Sequence, residues 1–149
     1  MPARMLGLEL TESVLLDERA GDISPRLEAL RAKGHPIAID DFGTGYSSMA
    51  YLKRLPIDKL KLDRAFIRAL PEDVADAAIM SAVLAMAEGL GLEVVAEGVE
   101  TQAQRDFLVA HGCPITQGFL FARPEPAEAI EARYLKAAPS AALKSSSTT

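Results

Sequence analysis

An α/β fold built on a parallel sheet is what this sequence predicts, and three observations lead there. Short apolar runs recur along the chain, helix-forming stretches bounded by caps and glycines separate them, and acids gather where the apolar runs stop. Leu6 to Leu10 reads as the first strand. Ser24 as cap, Pro25 at the first helical position, apolar Leu27 and Leu30, and the stop at Gly34 predict a helix, and Pro36 to Asp40 a second strand. Ser47 or Ser48 opens a short helix with Met49, Leu52 and Leu55 on its core side, ended by Pro56 before a strand from Lys59 to Asp63. A longer helix is predicted from Pro71, with Glu72 and Asp73 in its first turn, to Gly89-Leu90-Gly91, followed by strand Glu93 to Glu97. Thr101 and Gln104 form a capping box for a helix carrying Phe107 and Leu108 that stops at Gly112. Strand Ile115 to Phe121 and a helix from Pro126 to Leu135 complete the order. Residues 137–149, rich in Ala, Ser and Thr, read as a disordered tail.

Five strands joined by helical crossovers must run parallel, because each crossover returns the chain in the same direction. Composition narrows the function. The 149 residues carry a net charge of −5 and no basic cluster, which opposes electrostatic binding of a nucleic-acid polymer. Cys113 is the single cysteine, so no disulfide within the chain is possible and a reducing cytoplasm is the expected compartment. The apolar window Ala77 to Ala87 is too short to span a membrane.

Ligand sites of parallel α/β folds lie at the carboxyl ends of the strands. Asp40, Asp41, Lys61, Asp63, Glu97 and Gln117 all fall in or at the ends of otherwise apolar strands. The set Glu9, Asp40, Asp41 and Glu97 offers oxygen donors, which suits magnesium or manganese better than zinc. Two such ions could steady both the attacking and leaving oxygens of a phosphoryl group, provided the turn at Gly43 lets Asp40 and Asp41 both point inward against strand alternation. Adjacent acids before a glycine turn serve equally as plain turn chemistry. Lys61 is an ordinary surface charge if its face of the strand meets solvent, and needs carboxylates or a phosphate beside it if that face is the inside of a barrel. Glu97 and Gln117 carry the same two readings. Glu12 and Glu100 suit loop or cap roles, and His35 and His111 sit beside helix-stopping glycines.

Two local patterns mislead. Asp41-Phe42-Gly43 spells the kinase metal triplet without the other kinase segments. Gly43-Thr44-Gly45 imitates a dinucleotide turn, but the third glycine is missing and two aspartates would face the pyrophosphate.

Five segments in order, Glu9-Leu10-Thr11-Glu12-Ser13, Ile39 to Ser48 (IDDFGTGYSS), Leu60-Lys61-Leu62-Asp63-Arg64, Val95 to Thr101 (VAEGVET) and Gln117 to Phe121 (QGFLF), resemble the carboxyl-terminal part of an EAL domain, the cyclic-di-GMP phosphodiesterase family. The resemblance covers roughly residues 6 to 135. It implies a partial TIM-type (β/α) barrel, with about five of the eight parallel strands, and cleavage of cyclic-di-GMP to pGpG with two Mg²⁺ or Mn²⁺ ions. By the same resemblance Glu9, Asp40, Asp41 and Glu97 are metal-site acids, and Lys61 helps hold the nucleophilic water. Gln117 supports the site, and Glu12 steadies the loop containing Gly43, Thr44 and Gly45. A homodimer and an upstream sensory or regulatory domain are implied partners. Glu28-Ala29-Leu30 is a coincidence of letters, since it follows the Glu9 strand and the family's own Glu-Ala-Leu precedes it. That glutamate and a metal-binding asparagine find no match here. Residues 1–136 are therefore expected to form an incomplete EAL domain whose activity needs the earlier strands. The competing expectations are a relic that binds cyclic-di-GMP or a protein without catalysis, and a barrel whose Lys61 forms a Schiff base.

Overall fold

The computed structural model describes residues 2–15, 22–43 and 52–135. A five-stranded, all-parallel sheet in the order β1-β2-β3-β4-β5 forms its centre. The strands are β1 (Leu8–Thr11), β2 (Ile37–Phe42), β3 (Lys59–Leu62), β4 (Glu93–Ala96) and β5 (Ile115–Thr116). The helices are α1 (Glu12–Leu15), α2 (Ser24–Ala32), α3 (Arg64–Ile67), α4 (Val74–Gly89), α5 (Gln102–Ala110) and α6 (Ala127–Ile130), the last running on as a wider π-helical turn through Glu131–Leu135. Thr44, Gly45, the first part of the helix expected from Ser47 or Ser48 to Leu55, and the expected tail at 137–149 lie outside the described residues, whereas Leu52 and Leu55 of that helix are described and buried.

One face of the sheet is packed and apolar. Ile37, Ile39, Leu60, Leu62, Val94 and Ala96 are buried there, in one core with Leu27 of α2, Met80, Val83, Leu84 and Ala87 of α4, and Leu108 of α5. Period-two alternation then turns the neighbours Ala38, Asp40, Lys59, Lys61 and Val95 toward the opposite face. β2 would lose this phase at its end, because Phe42 is also buried. A bulge resets it: Ile39 pairs with Leu60 but Phe42 pairs with Leu62, so three steps on β2 oppose two on β3. The extra residue leaves Asp41 at φ 54°, a left-handed conformation that aspartate tolerates better than most side chains. This is how two adjacent acids fit at one strand end.

Several boundaries differ from expectation. Helix α2 begins at Ser24 itself, and the Asp22 carboxylate accepts the Ser24 N–H at 2.9 Å. Asp73 lies outside α4 as its cap, accepting from Ala75 and Asp76 N–H, because a side-chain oxygen before the first turn satisfies donors that a residue within the turn does not. Asp63 likewise caps the short helix α3, accepting from Ala65 N–H, so strand β3 stops one residue early. The expected strand from Ile115 to Phe121 shrinks to two residues. Beyond Thr116 the backbone bonds to the loop after β4, with Val99 N–H to Gln117 O at 3.0 Å and Leu120 N–H to Val99 O at 3.0 Å. A Cβ on Gly118 would collide with the Val99 backbone. Only glycine permits that crossing.

The capping box on α5 is complete, with Thr101 accepting from Gln104 N–H and the Gln104 amide oxygen accepting from the N–H groups of both Glu100 and Thr101. Gln104 is also buried. Gln104→Ala should therefore destabilise the chain by about 1–2 kcal/mol, more than an exposed cap would, read as a lower urea midpoint at unchanged slope.

Candidate active site

Three strands supply acids to one lysine: Glu9 from within β1, Asp40 toward the end of β2 and Glu97 from just past β4. Lys61 Nζ stands 2.7 Å from Glu9 Oε2 on β1, 2.9 Å from Asp40 Oδ1 on β2 and 3.0 Å from Glu97 Oε1 just past β4. Residues 52 and 36 positions from Lys61 in sequence thus meet at its tip, because the parallel register sets Lys59 and Lys61 beside Glu93 and Val95 on one side and beside the Ala38–Asp40 segment on the other. The Lys61 side chain is 14% exposed, Asp40 24%, Glu97 22% and Glu9 53%. Burial opposes the ammonium charge, yet the attraction of Glu9, Asp40 and Glu97 outweighs it and holds the Lys61 pKa above the ordinary lysine range. Lys59 pairs with Glu93 farther down the same face.

Gln117 lines two adjoining clefts. One, of about 250 Å³, is shared with Glu97, Asp63, Arg64 and Phe119, and the other, of about 330 Å³, with Glu9, Lys61 and Val95. Glu12 is placed apart from the lysine. Almost fully buried, it accepts the Gly43 N–H at 2.8 Å and so ties α1 to the end of the bulge. Asp41 is exposed on the bulge, one residue past Asp40. His111 Nδ1 lies 2.8 Å from Phe107 O at the end of α5 and His35 Nδ1 3.1 Å from Leu6 O, both distant in role from the acids.

Among the described residues no three His, Cys, Asp or Glu side chains have the spacing of a metal-ligand set. The carboxylates are instead spread around an ammonium. Their chemistry still fits a hard divalent cation, since the donors are all carboxylate oxygens and three of them already converge on one positive charge. Arg64 and Phe119 are cleft residues to which sequence reasoning gave no part. A signal for Arg64 was present in Gly98, at φ 72°, where any Cβ would collide with the Arg64 side chain.

The sequence pattern of the family described as EAL domain matches residues 1–124. The chain belongs to the EAL domain family. It is 54% identical over 123 residues to the bifunctional diguanylate cyclase/cyclic di-GMP phosphodiesterase MucR of Pseudomonas aeruginosa, covering 83% of this chain and 18% of MucR. The solved MucR phosphodiesterase in complex with c-di-GMP superposes with a TM-score of 0.79 at 52% identity, over 87% of this chain and 52% of that one. The EAL domain of Mycobacterium smegmatis DcpA gives 0.82 at 42% identity, covering 91% and 60%. A manganese and cyclic-di-GMP complex of Klebsiella pneumoniae BlrP1 gives 0.75 at 38% identity, covering 83% and 31%. The EAL chain thus carries five parallel strands of a barrel found in cyclic-di-GMP phosphodiesterases, and spans less than two thirds of each of these relatives. Among the described residues no helix is long and apolar enough to cross a membrane.

Replacing Lys61 by Met should leave Asp40 and Glu97 facing each other without a countercharge. We expect a loss of about 2 kcal/mol at pH 7 by denaturant unfolding.

Proposed function

We propose that this chain forms the carboxyl-terminal half of the catalytic barrel of a metal-dependent cyclic-di-GMP phosphodiesterase, and that hydrolysis requires the rest of the barrel. The observation that carries this reading is the meeting of Glu9, Asp40 and Glu97, from three separate strands, around Lys61 at the carboxyl rim. A surface with no catalytic task has no reason to concentrate three acids and a largely buried lysine on an otherwise apolar sheet. The activities of the relatives and their manganese and cyclic-di-GMP complexes support the same substrate.

Glu9, Asp40, Asp41 and Glu97 would hold Mg²⁺ or Mn²⁺, two ions in the family's arrangement. When bound, such ions supply positive charge to the phosphate oxygens, a charge that the acidic chain itself lacks. The chain's own groups do the rest. Lys61 donates hydrogen bonds from a fixed position and can hold the water that attacks phosphorus, while Glu97, in contact with Lys61, can take that water's proton. As the new P–O bond forms, the bond to the 3′ oxygen breaks, and the 3′ hydroxyl of linear pGpG leaves with a proton. Gln117, which lines both clefts, would bind substrate beside this centre. Glu12, through its hydrogen bond with the Gly43 N–H, would steady the turn that begins at Asp41. A homodimer and a sensory or regulatory domain in a longer protein complete the proposal.

A second reading has one observation in its favour. The described carboxylates do not form a ligand-spaced set, which suits a binder of cyclic-di-GMP without catalysis. Calorimetry separates the two, because the phosphodiesterase reading requires nucleotide binding that depends on divalent ions.

The decisive test is turnover of cyclic-di-GMP to pGpG with Mn²⁺. The 149-residue chain alone should show little, a longer protein containing it should show full activity, and Asp40→Asn in that longer protein should lower kcat by about a hundredfold or more. Rapid turnover by the chain alone contradicts the half-barrel reading, and undiminished kcat in Asp40→Asn contradicts the metal role.

A further inference from the structure

Gly43 is held from two sides. Its N–H donates to the buried Glu12 carboxylate at 2.8 Å, and a Cβ built on it would fall within the Phe66 ring. Gly43 also lies at φ 100°, where side chains are disfavoured. The ring is thus seated against the backbone at the point where β2 ends, four residues after the last regular pair before the bulge. Phe66 belongs to α3, the helix that Asp63 caps directly after β3. It is partly buried against the core, so the ring has limited room to yield.

We propose that Phe66 is a positioning residue for the Asp40–Gly43 turn: its ring presses the turn toward Glu12 and so fixes where the bulge directs Asp40 and Asp41. The functional half of this inference rests on the reading of those two acids as cation ligands. Geometry gives it a reason. A bulge interrupts the regular ladder, and Asp41 sits there at φ 54°, a conformation that costs free energy to hold. Glu12 restrains the turn through the Gly43 N–H, and Phe66 bears on the same residue from another side. The ring supplies the second restraint, from a strand-helix connection that also carries Lys61. Movement of α3 would therefore shift the acids and the lysine together.

The test is amide hydrogen exchange of the ¹⁵N-labelled chain. Phe66→Ala should speed exchange at Gly43 by about tenfold or more, while Glu97 N–H, bonded to Leu62 O, and the amides of α4 keep their rates. Phe66→Leu, which keeps bulk and folds more readily, should fall between. Gly43→Ala should disrupt the parent but be better tolerated in the Phe66→Ala background, where space has opened. Unchanged Gly43 exchange in both Phe66 variants overturns the proposal, as does equal acceleration at every amide, the mark of a merely structural phenylalanine. Mn²⁺ calorimetry reads the functional half separately. About tenfold weaker binding in the variants supports it, and a parent that binds no Mn²⁺ rejects the cation reading while leaving the turn mechanism to the exchange data.

Discussion

The ammonium of Lys61, gripped by carboxylates from three strands, is the interaction on which the rest of this structure turns. A charge so largely removed from water is costly unless it is matched. Matching it requires that Glu9 from within β1, Asp40 from β2 and Glu97 from just past β4 reach one point on β3, and the parallel register sets those strands side by side for it. Sheet, register and site are therefore one constraint. The apolar alternate residues satisfy it from below by packing on the helices, and the polar alternates satisfy it from above by finding one another.

The bulge in β2 shows how sequence accommodates an arrangement that a regular strand forbids. Strand alternation sends neighbouring side chains to opposite faces, so Asp40 and Asp41 could not both serve one rim on an unbroken strand. Inserting one residue restores Phe42 to the core and leaves Asp41 at the turn with a positive φ. Gly43 then closes the turn between the Glu12 carboxylate and the Phe66 ring. The strand departs from ideal geometry here, and neighbours on α1 and α3 hold the result in place.

Much of this was legible beforehand, for identifiable reasons. Alternation along Lys59-Leu60-Lys61-Leu62 announced one apolar and one polar face, and the capping box at Thr101 and Gln104 fixed the start of α5. The motif series carried the family. What escaped depended on contacts between segments distant in sequence. β5 ends early because the backbone at Gly118 crosses Val99, an encounter no local pattern encodes. Helix α3 was hidden because Asp63 reads equally as the end of a strand and as the cap of a helix. The placement of Arg64 and Phe119 beside Glu97 depends on Gly98 and Gly118, whose significance emerges only when the neighbouring backbone is in view. The convergence of Glu9, Asp40 and Glu97 was anticipated as a cage for ions; that they surround Lys61 directly follows from the same need to balance charge.

The central claim is that this carboxyl rim is a divalent-cation site. Paramagnetic broadening by substoichiometric Mn²⁺ in the ¹⁵N spectrum of the chain tests it most directly, because the effect falls off steeply with distance. The amides of Asp40, Lys61 and Glu97 should broaden first, while those of Ile37 and Glu93, at the lower ends of β2 and β4, should broaden later. Equal broadening at both ends, or broadening confined to acids elsewhere on the surface, would contradict it.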